Sequence, residues 1–284
     1  MSDKVALLTG TSSGFGMLAS LRFLEKGYRV VATMRDLNKK SELLERARGL
    51  GCESRLDCMK LDVTSEADIR HAMEQVREKY GRVDVLVNNA GYAVGGAAEE
   101  VPMEEWRKLM DTNLFGVIAM TQSVLPLMRE QGSGTIINVS SVSGRIGIPG
   151  YSPYCTSKFA LEGFSESLRH EVSGFGIKTV LICPGAYNTS IWDKGFDHIH
   201  VTEASPYRPL LDAVLGYSRR TAESAPDPDE IARKIVWLAG KKSPSLRYTY
   251  GKGSLQSMLG KSLLPWRWFE RILAVALKKS DTGK

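Results

Sequence analysis

The sequence predicts an α/β fold, with a doubly wound, mainly parallel seven-stranded sheet and helices on both of its faces. Short runs rich in Val, Ile and Leu alternate with longer stretches of helical periodicity. Such runs of Val, Ile and Leu are typical of strands covered by helices on both faces. The predicted strands are Val5–Thr9, Arg29–Thr33, Met59–Asp62, Val83–Val87, Thr135–Ser140, Lys178–Cys183 and Arg247–Tyr250.

The segments between the strands predict helices. Pro102 fits the first turn of one of them, and Gly27 and Gly81 stand where the C-caps of two others are expected. No long linker and no internal repeat divides the chain, so residues 1–284 are expected to form one domain. The clearest predicted helices are Met17–Lys26, Glu66–Tyr80, Met103–Arg129 and Tyr154–Val172.

Composition restricts the class of function. The net charge of +6 is mild, and no stripe of Lys and Arg interleaved with aromatic residues indicates nucleic-acid binding. The four cysteines lack metal-ligand spacing, so we expect no metal site and reduced thiols. The N-terminus passes directly into a strand, and no apolar stretch is long enough to span a bilayer. These features predict a cytoplasmic protein.

Three glycines, Gly10, Gly14 and Gly16, follow the first predicted strand and open a helix. Glycine at such positions permits a tight turn, and it lets backbone N–H groups and the neighbouring strand approach closely. A strand, a glycine turn and a helix in this order predict a site for the pyrophosphate of a dinucleotide.

The pattern Thr9-Gly10-xxx-Gly14-x-Gly16 resembles the cofactor signature of the short-chain dehydrogenase/reductase family. The resemblance extends strongly over about residues 4–190. It implies a Rossmann-type fold and an enzyme that acts on the CH-OH group of donors with NAD(P) as acceptor. Further motifs follow in the family's order: Asp62-Val63, Asn88-Asn89-Ala90-Gly91, Thr112-Asn113-Leu114, Ser141, Tyr154-xxx-Lys158 and Pro184-Gly185-xxx-Thr189.

The resemblance implies a set of cofactor-binding residues. Asp62 and Val63 are expected to hold the adenine, and Thr189, with the backbone after Pro184, to meet the nicotinamide carboxamide. Asn88 is expected to brace the sheet instead. The remaining cofactor-binding residues implied by the resemblance are Gly10, Ser12, Ser13, Gly14, Phe15, Gly16, Asn89, Ala90, Gly91, Tyr154, Lys158 and Gly185. Phe15 replaces a commoner Ile, with little expected consequence because the backbone makes the contact.

The choice between NADP and NAD depends on the end of the second strand. An acidic residue directly after that strand would bind the ribose 2′-OH of NAD and repel a 2′-phosphate. Met34 takes that place, and Arg35 follows with a guanidinium that suits a phosphate. The sequence therefore favours NADP; a surface Arg35 with Asp36 as the ribose ligand is the alternative.

Tyr154 and Lys158 lie four residues apart on a predicted helix and so share one face. A free tyrosine has a pKa near 10, and a nearby ammonium is expected to lower it. Ser141 and Ser140 point to opposite faces of their strand; family spacing favours Ser141 as the hydroxyl that steadies the substrate oxygen. By resemblance, Lys158 also binds the nicotinamide ribose, and Asn113 supports a water in a proton relay.

The expected substrate is a small apolar ketone or alcohol. Ser141 and Tyr154 would contact its oxygen, and Tyr187, Trp192, Phe196 and Tyr207 would line an apolar pocket. Residues 186–225 leave the sheet edge where ligands bind in open α/β sheets and are a candidate lid. The end of the second strand is also similar to the NADP-preferring hydroxysteroid and retinoid dehydrogenase branch, which implies a bulky apolar substrate.

The C-terminal extension, about residues 254–284, ends in an amphipathic helix with a narrow polar stripe. Three interpretations stay open: packing on the body or another subunit of a homodimer or homotetramer, a cap over the substrate, or peripheral membrane contact. Two other functions are also carried, a non-catalytic NADP-binding regulator and a membrane-surface lipid-binding protein on the same fold. Because Asn113, Ser141, Tyr154 and Lys158 are all present, the enzyme is favoured.

Overall fold

The computed structural model describes residues 3–189, 199–223 and 225–278. Seven parallel strands form one sheet in the order β3-β2-β1-β4-β6-β7-β9, and a two-stranded ribbon joins β5 to β8. The predicted seven-stranded parallel sheet is therefore confirmed. The strands are β1 Val5–Thr9, β2 Arg29–Met34, β3 Leu56–Lys60, β4 Val85–Asn88, β5 Gly95–Gly96, β6 Gly134–Val139, β7 Ile177–Pro184, β8 Ile199–His200 and β9 Arg247–Tyr250.

Helices connect the strands and cover both faces of the sheet. Among the described residues, no helix is both long and apolar enough to cross a membrane. The helices are α1 Gly14–Glu25, α2 Ser41–Gly49, α3 Glu66–Tyr80, α4 Met103–Met110, α5 Gly116–Gln131, α6 Ser152–Val172, α7 Arg208–Glu223, α8 Asp229–Gly240, α9 Ser254–Leu263 and α10 Trp266–Lys278, with short 3-10 turns at Leu37–Lys40, Glu53–Arg55, Val142–Gly144 and Ser173–Phe175.

Two of the predicted strands differ from the observed ones by more than one residue at an end. β3 starts at Leu56 and ends at Lys60, not at Asp62, because its register pairs Leu56 with Val30 of β2. It lies at the sheet edge, where Leu56 is its one buried residue, and Asp57 interrupts the apolar run. β4 starts two residues late because the Val83 N–H donates to the side chain of Gln131.

The predicted helix Met103–Arg129 is interrupted. Helix α4 ends at Met110, a π turn spans Asp111–Phe115, and α5 then begins at Gly116. Gly116 lies so close to the loop after β3 that a Cβ there would be 2.8 Å from a methyl of Val63. Pro102 is the N-cap of α4 and does not occupy its first turn.

The core consists of two apolar layers, one on each face of the sheet. Phe23 of α1 is buried in the first layer, and Met120 of α5 is buried in the second. On the first face, α8 packs on α1, and the Arg22 guanidinium donates to both carboxylate oxygens of Asp229, at 2.7 and 2.6 Å. The strands are therefore packed between two apolar layers.

Residues 186–225, the candidate lid, include a short strand and a long helix in their described part. Strand β8 pairs with β5, and α7 packs Leu211 and Val214 inwards. The phenol of Tyr207 donates to a carboxylate oxygen of Glu99 at 2.5 Å. These contacts attach the segment to the loop that follows β4.

Candidate active site

The site lies at the carboxyl ends of β1, β4, β6 and β7. The sheet order runs backwards from β1 to β3 and forwards from β4, so the two halves of the sheet diverge between β1 and β4. In open α/β sheets, a cleft forms at such a point because successive crossovers leave to opposite faces. The residues named from the sequence motifs follow these strand ends.

The glycine turn between β1 and α1 leaves no room for side chains on its inner side. A Cβ on Gly16 would be 2.4 Å from the carbonyl oxygen of Gly10, so this position requires glycine. Gly14 has φ +57° and faces Thr189, whose side chain would be 3.8 Å from a Cβ there. The first turn of α1 carries no acidic residue, and Ser13 is its N-cap. Such a helix N-terminus fits an anionic pyrophosphate.

Asn89 holds the glycine turn in place. Its amide nitrogen donates to the carbonyl oxygens of Thr9 and Gly10, at 3.0 and 2.9 Å. The hydroxyl of Thr9 accepts from the N–H groups of Asn89 and Ala90, both at 3.0 Å. The Asn89 side chain is thus engaged by the turn itself. Thr9 is a site residue that the sequence motif includes but whose bracing role was missed.

The loop after β4 lies beside this turn, and the loop after β3 lies beyond β2 on the same edge of the sheet. The Asp62 carboxylate accepts from the backbone N–H and the hydroxyl of Thr64, at 2.9 and 2.8 Å, and Val63 is buried. Asn88 is buried, and its amide donates to Asn138 at 2.9 Å. The expectation that Asn88 braces the sheet is confirmed.

Arg35 and Asp36 follow β2 at the edge of the cleft, and both are exposed. The Asp36 carboxylate accepts from the Asn38 N–H at 3.0 Å and so caps the short turn that follows. Met34 does not take the place expected for a ribose ligand, because β2 extends through it and buries its side chain in the core. Arg35 is therefore the first side chain after β2 that can face a ribose 2′-substituent.

The segment after β7 closes the other side of the cleft. Gly185 donates its N–H to the carbonyl of Tyr250 at 2.8 Å, and a Cβ on it would be 2.1 Å from the Ser254 hydroxyl. This close packing directs the chain from Pro184 towards Thr189, which faces the glycine turn. The geometry fits a cofactor lying between the two segments.

Ser141 and Tyr154 are brought together at the end of β6. A hydrogen bond between them lowers the pKa of the Tyr154 phenol, although burial has the larger and opposite effect. The Ser141 hydroxyl also accepts from the Ser143 N–H at 3.1 Å. Ser140 is buried, and of the two serines it is Ser141 that is hydrogen-bonded to Tyr154.

The expected lowering of the Tyr154 pKa by Lys158 is wrong for this structure. Burial raises the pKa of Tyr154 to about 12. The Lys158 ammonium lies 5.8 Å from the centre of the Tyr154 ring and donates to the Val139 carbonyl at 2.9 Å. Burial also lowers the pKa of Lys158, to about 8, which weakens its charge. The phenol therefore carries its proton at neutral pH and is suited to donate it.

Asn113 lies in the π turn between α4 and α5 and is completely buried. Its amide donates to the Tyr92 carbonyl at 2.9 Å and to the Ser157 hydroxyl at 3.1 Å, and its oxygen accepts from the Tyr92 N–H. A Cβ on Gly91 would be 3.0 Å from that oxygen and 3.8 Å from the Lys158 nitrogen. Asn113 thus joins the β4 loop to α6 next to Lys158.

Tyr187 does not line a substrate pocket. Its side chain is buried in the core, where its ring meets Phe15 edge to face at 5.7 Å and its hydroxyl donates to Glu230 at 3.1 Å. The chain after Gly185 turns towards the core and carries the Tyr187 side chain into it. Trp192 and Phe196 lie outside the described residues.

A separate apolar groove lies on the outer side of α6, between that helix and α10. It was not foreseen from the sequence, because it depends on how the C-terminal helix crosses α6. Phe269 is buried there, while Trp266, Trp268 and Ile272 are exposed. Its principal apolar lining residues are Ile148, Cys155, Phe159, Trp266 and Phe269.

The chain belongs to the short-chain dehydrogenase family, whose family model matches residues 4–199. It is 45% identical to the uncharacterized oxidoreductase YusZ of Bacillus subtilis, over 96% of this chain and 98% of that one. It is 37% identical to a 3-ketodihydrosphingosine reductase of Bacteroides thetaiotaomicron, over 88% and 89%. It is also 36% identical to a mouse (Mus musculus) 17-beta-hydroxysteroid dehydrogenase type 1, over 87% and 74%. This protein is therefore an oxidoreductase of that family acting on CH-OH groups with NAD(P).

Solved structures share the fold over most of the chain. Actinorhodin polyketide ketoreductase with NADPH has a TM-score of 0.77 and 31% identity, covering 89% of this chain and 99% of its own. A family member from Burkholderia phymatum in complex with NAD has a TM-score of 0.79 and 25% identity, covering 95% of both chains. The fold therefore accommodates either cofactor, and the choice depends on local residues.

Proposed function

We propose that this protein interconverts a carbonyl and a secondary alcohol on an apolar small molecule, with NADP(H) as cofactor. The observation that carries the proposal is the convergence of Ser141, Tyr154 and Lys158 at the end of β6, next to the glycine turn. A non-catalytic NADP-binding regulator on the same fold would not require a buried tyrosine and lysine beside a serine hydroxyl.

When bound, NADPH supplies the hydride that reaches the carbonyl carbon. Tyr154 donates its phenolic proton to the carbonyl oxygen, and Ser141 donates a hydrogen bond to that oxygen as negative charge develops. Lys158 binds the nicotinamide ribose and provides positive charge near the phenol. Asn113 positions Lys158 through the β4 loop and holds a water that returns a proton to the site.

The cofactor would bind along the cleft already described. Its pyrophosphate lies on the backbone of Gly10, Ser12, Ser13, Gly14, Phe15 and Gly16, at the N-terminus of α1. Its adenine lies against Asp62 and Val63, its middle beside Asn89, Ala90 and Gly91, and its carboxamide against the backbone of Pro184 and Gly185 and against Thr189. The steric closeness of Gly16 to Gly10 and the opening at Gly14 support this assignment.

Two relatives support the proposed reaction, since one is named as a 3-ketodihydrosphingosine reductase and the other as a 17-beta-hydroxysteroid dehydrogenase. The proposal is tested by mixing the protein with NADPH and a panel of apolar ketones while recording the nicotinamide absorbance. The described part of residues 186–225, which β8 and Tyr207 attach to the β4 loop, would cover the substrate.

The preference for NADP rests on Arg35. A 2′-phosphate at the end of β2 would meet this exposed guanidinium, whereas the Asp36 carboxylate is held by its own turn. We expect Arg35→Ala to raise the KM for NADP about ten- to hundredfold and to leave NAD little changed, because a hydrogen bond to a charged partner contributes roughly 1.5–3 kcal/mol.

The measurement is kcat/KM for both cofactors at low and high salt. The NADP loss is expected to shrink at high salt because an exposed contact is screened. Arg46→Ala, which removes an exposed arginine from α2, is the matched control. Equal losses for both cofactors in Arg35→Ala would show that Arg35 only supports the fold.

The tail is proposed to contact an anionic lipid surface. Of the α10 residues whose exposure is described, Phe269 alone is buried, so packing on the body leaves most of the apolar face uncovered. Residues 252–271 hold four basic residues and one acidic residue, a net charge of +3. A symmetric contact with a second copy would bring these like charges together. Tryptophan beside basic residues is typical of a helix lying in a membrane interface.

We expect the parent to co-sediment with vesicles of phosphatidylglycerol and phosphatidylcholine more than with phosphatidylcholine alone. Trp268→Ser should reduce binding about tenfold, since burying a large apolar side chain contributes roughly 1.5–3 kcal/mol. Trp237→Ser removes an equally exposed indole from α8 and is the matched control. Absence of parent binding would contradict the proposal, and loss of a dimer in Trp268→Ser would identify a second copy as the occupant.

Two further parts of the proposal concern the state of the protein. Exposed phenylalanines on neighbouring segments, Phe115 and Phe159, support a homodimer or homotetramer. The four free cysteines among the described residues support a reducing, cytoplasmic location.

A further inference from the structure

A buried carboxylate lies one helical turn beyond Lys158 and takes no part in the proposed chemistry. Glu162 is 4% exposed, and Lys158 is 6% exposed. Residues four apart on a helix have neighbouring side chains. Burying either charge alone is costly, so two buried charges of opposite sign at this spacing stabilise one another.

The Glu162 carboxylate accepts hydrogen bonds from residues of two strands. Its Oε2 accepts from Nε of Arg247 on β9 at 2.6 Å, and its Oε1 accepts from the Cys183 thiol on β7 at 3.3 Å. The other end of the Arg247 guanidinium donates to Glu166 at 2.5 Å, on the exposed part of α6. Lys158, Glu162, Arg247 and Glu166 together form an alternating row with no net charge.

The buried end of this row packs against the short turn after β6. A Cβ on Gly144 would be 3.0 Å from the Lys158 carbonyl oxygen and 3.1 Å from Cγ of Glu162. The short turn after Ser141 therefore packs directly against both residues. The same turn carries the Ser143 N–H that orients Ser141.

We propose that Glu162 is a positioning residue for Lys158, and that Arg247 anchors it from the last strand of the sheet. This inference rests on the proposed function, because it assigns a purpose to the charge on Lys158. The carboxylate keeps the Lys158 ammonium charged in a buried place, where that charge is needed for the ribose and for Tyr154.

The electrostatic surroundings of Lys158 agree with this role. Burial lowers its pKa to about 8, and Cys183 and Glu162 both act to raise that pKa. The titratable groups facing it are Tyr154 and Glu162 on α6 and Cys183 on β7. Farther out, Arg247 acts on Glu162, and Arg145, in the loop after β6, acts on Cys183.

The test compares Glu162→Gln with Glu166→Gln across pH. Both variants remove one carboxylate from Arg247, but only the first removes the carboxylate next to Lys158. We expect the high-pH limb of kcat/KM for NADPH, which reports groups of the free enzyme, to move down by about one pH unit in Glu162→Gln. The loss would then be about fivefold at pH 8 and less than twofold at pH 6, with Glu166→Gln unchanged.

A second readout does not depend on turnover. NADPH affinity, followed by nicotinamide fluorescence, should show the same downward shift, because the ribose contact needs the ammonium. If NADPH binds with this pH shift but no ketone is reduced, the proposed reaction fails and the role of Glu162 stands. An unshifted limb, a uniform loss at every pH, or an equal shift in Glu166→Gln would overturn the inference. If Glu162→Gln does not fold, Glu162→Asp replaces it, with a smaller downward shift expected and the same contradicting results.

Discussion

Tyr154→Phe is expected to abolish turnover and to leave NADPH affinity nearly unchanged. The ring remains in its partly buried place, but the hydroxyl that donates the proton is lost. General acid catalysis contributes typically about a hundred- to ten-thousandfold, so kcat should fall by at least a hundredfold. The measurement is kcat with the best ketone of the panel, together with NADPH binding by fluorescence.

Tyr151→Phe is the matched control for this variant. Tyr151 is buried immediately before α6 and also carries a hydrogen-bonded phenol, with Ser218 as its partner. Loss of that hydroxyl tests the general cost of removing a buried phenol next to the site. Turnover of Tyr154→Phe within a few-fold of the parent would remove Tyr154 from the mechanism.

The high pKa of Tyr154 predicts different pH dependences for carbonyl reduction and alcohol oxidation. Since burial raises the pKa of Tyr154 to about 12, the phenol is protonated throughout the neutral range. The proton needed for carbonyl reduction is therefore already bound to it. Alcohol oxidation needs the deprotonated form, so its rate is expected to rise as pH increases. Reduction should instead be nearly independent of Tyr154 ionisation at neutral pH.

Lys158→Ala should damage both chemistry and cofactor binding, because one ammonium is proposed to serve both. Loss of a charged hydrogen bond to the ribose is expected to weaken NADPH about ten- to hundredfold, at roughly 1.5–3 kcal/mol. The fall in kcat comes in addition, since the proposed ribose contact also places the nicotinamide beside Tyr154. NADPH titration and kcat on the same preparation separate the two effects.

Lys178→Ala is the control for the loss of a partly buried lysine. Its ammonium donates to the Lys241 carbonyl at 3.2 Å, much as Lys158 donates to Val139, but from β7 next to α8 and away from the cleft. Both substitutions leave a backbone carbonyl without a lysine donor. An unchanged NADPH affinity in Lys158→Ala would remove the ribose role and leave only the chemical one.

The sequence predicts the sheet well because its central strands are buried on both faces. Continuous apolar runs such as residues 180–183 of β7 are completely buried, as is typical of strands covered on both faces. β3 was located less well because an edge strand with polar residues lacks that signal. The sequence does not reveal the π turn at Asp111–Phe115, because its residues have ordinary helical periodicity.

The candidate site was predicted largely from motif spacing, and the exceptions are tertiary. The path of the chain after Gly185 buries Tyr187, which no local pattern reveals. The pKa of Tyr154 depends on how completely packing removes water from the phenol, and a helical spacing of four does not determine that balance. The link from Glu162 to Arg247 joins residues 85 positions apart and becomes visible only in the folded chain.

Reduction of a ketone by the purified protein with NADPH is the most direct test of the proposed interconversion of carbonyl and alcohol. The panel should include cyclic, aromatic and long-chain ketones, with nicotinamide absorbance and product analysis on each. We predict that at least one ketone oxidises NADPH, that one secondary alcohol forms per NADPH consumed, and that this alcohol reduces NADP in the reverse assay. NADPH binding without oxidation by any ketone, and without reduction of NADP by the corresponding alcohols, would contradict the proposed oxidoreductase activity.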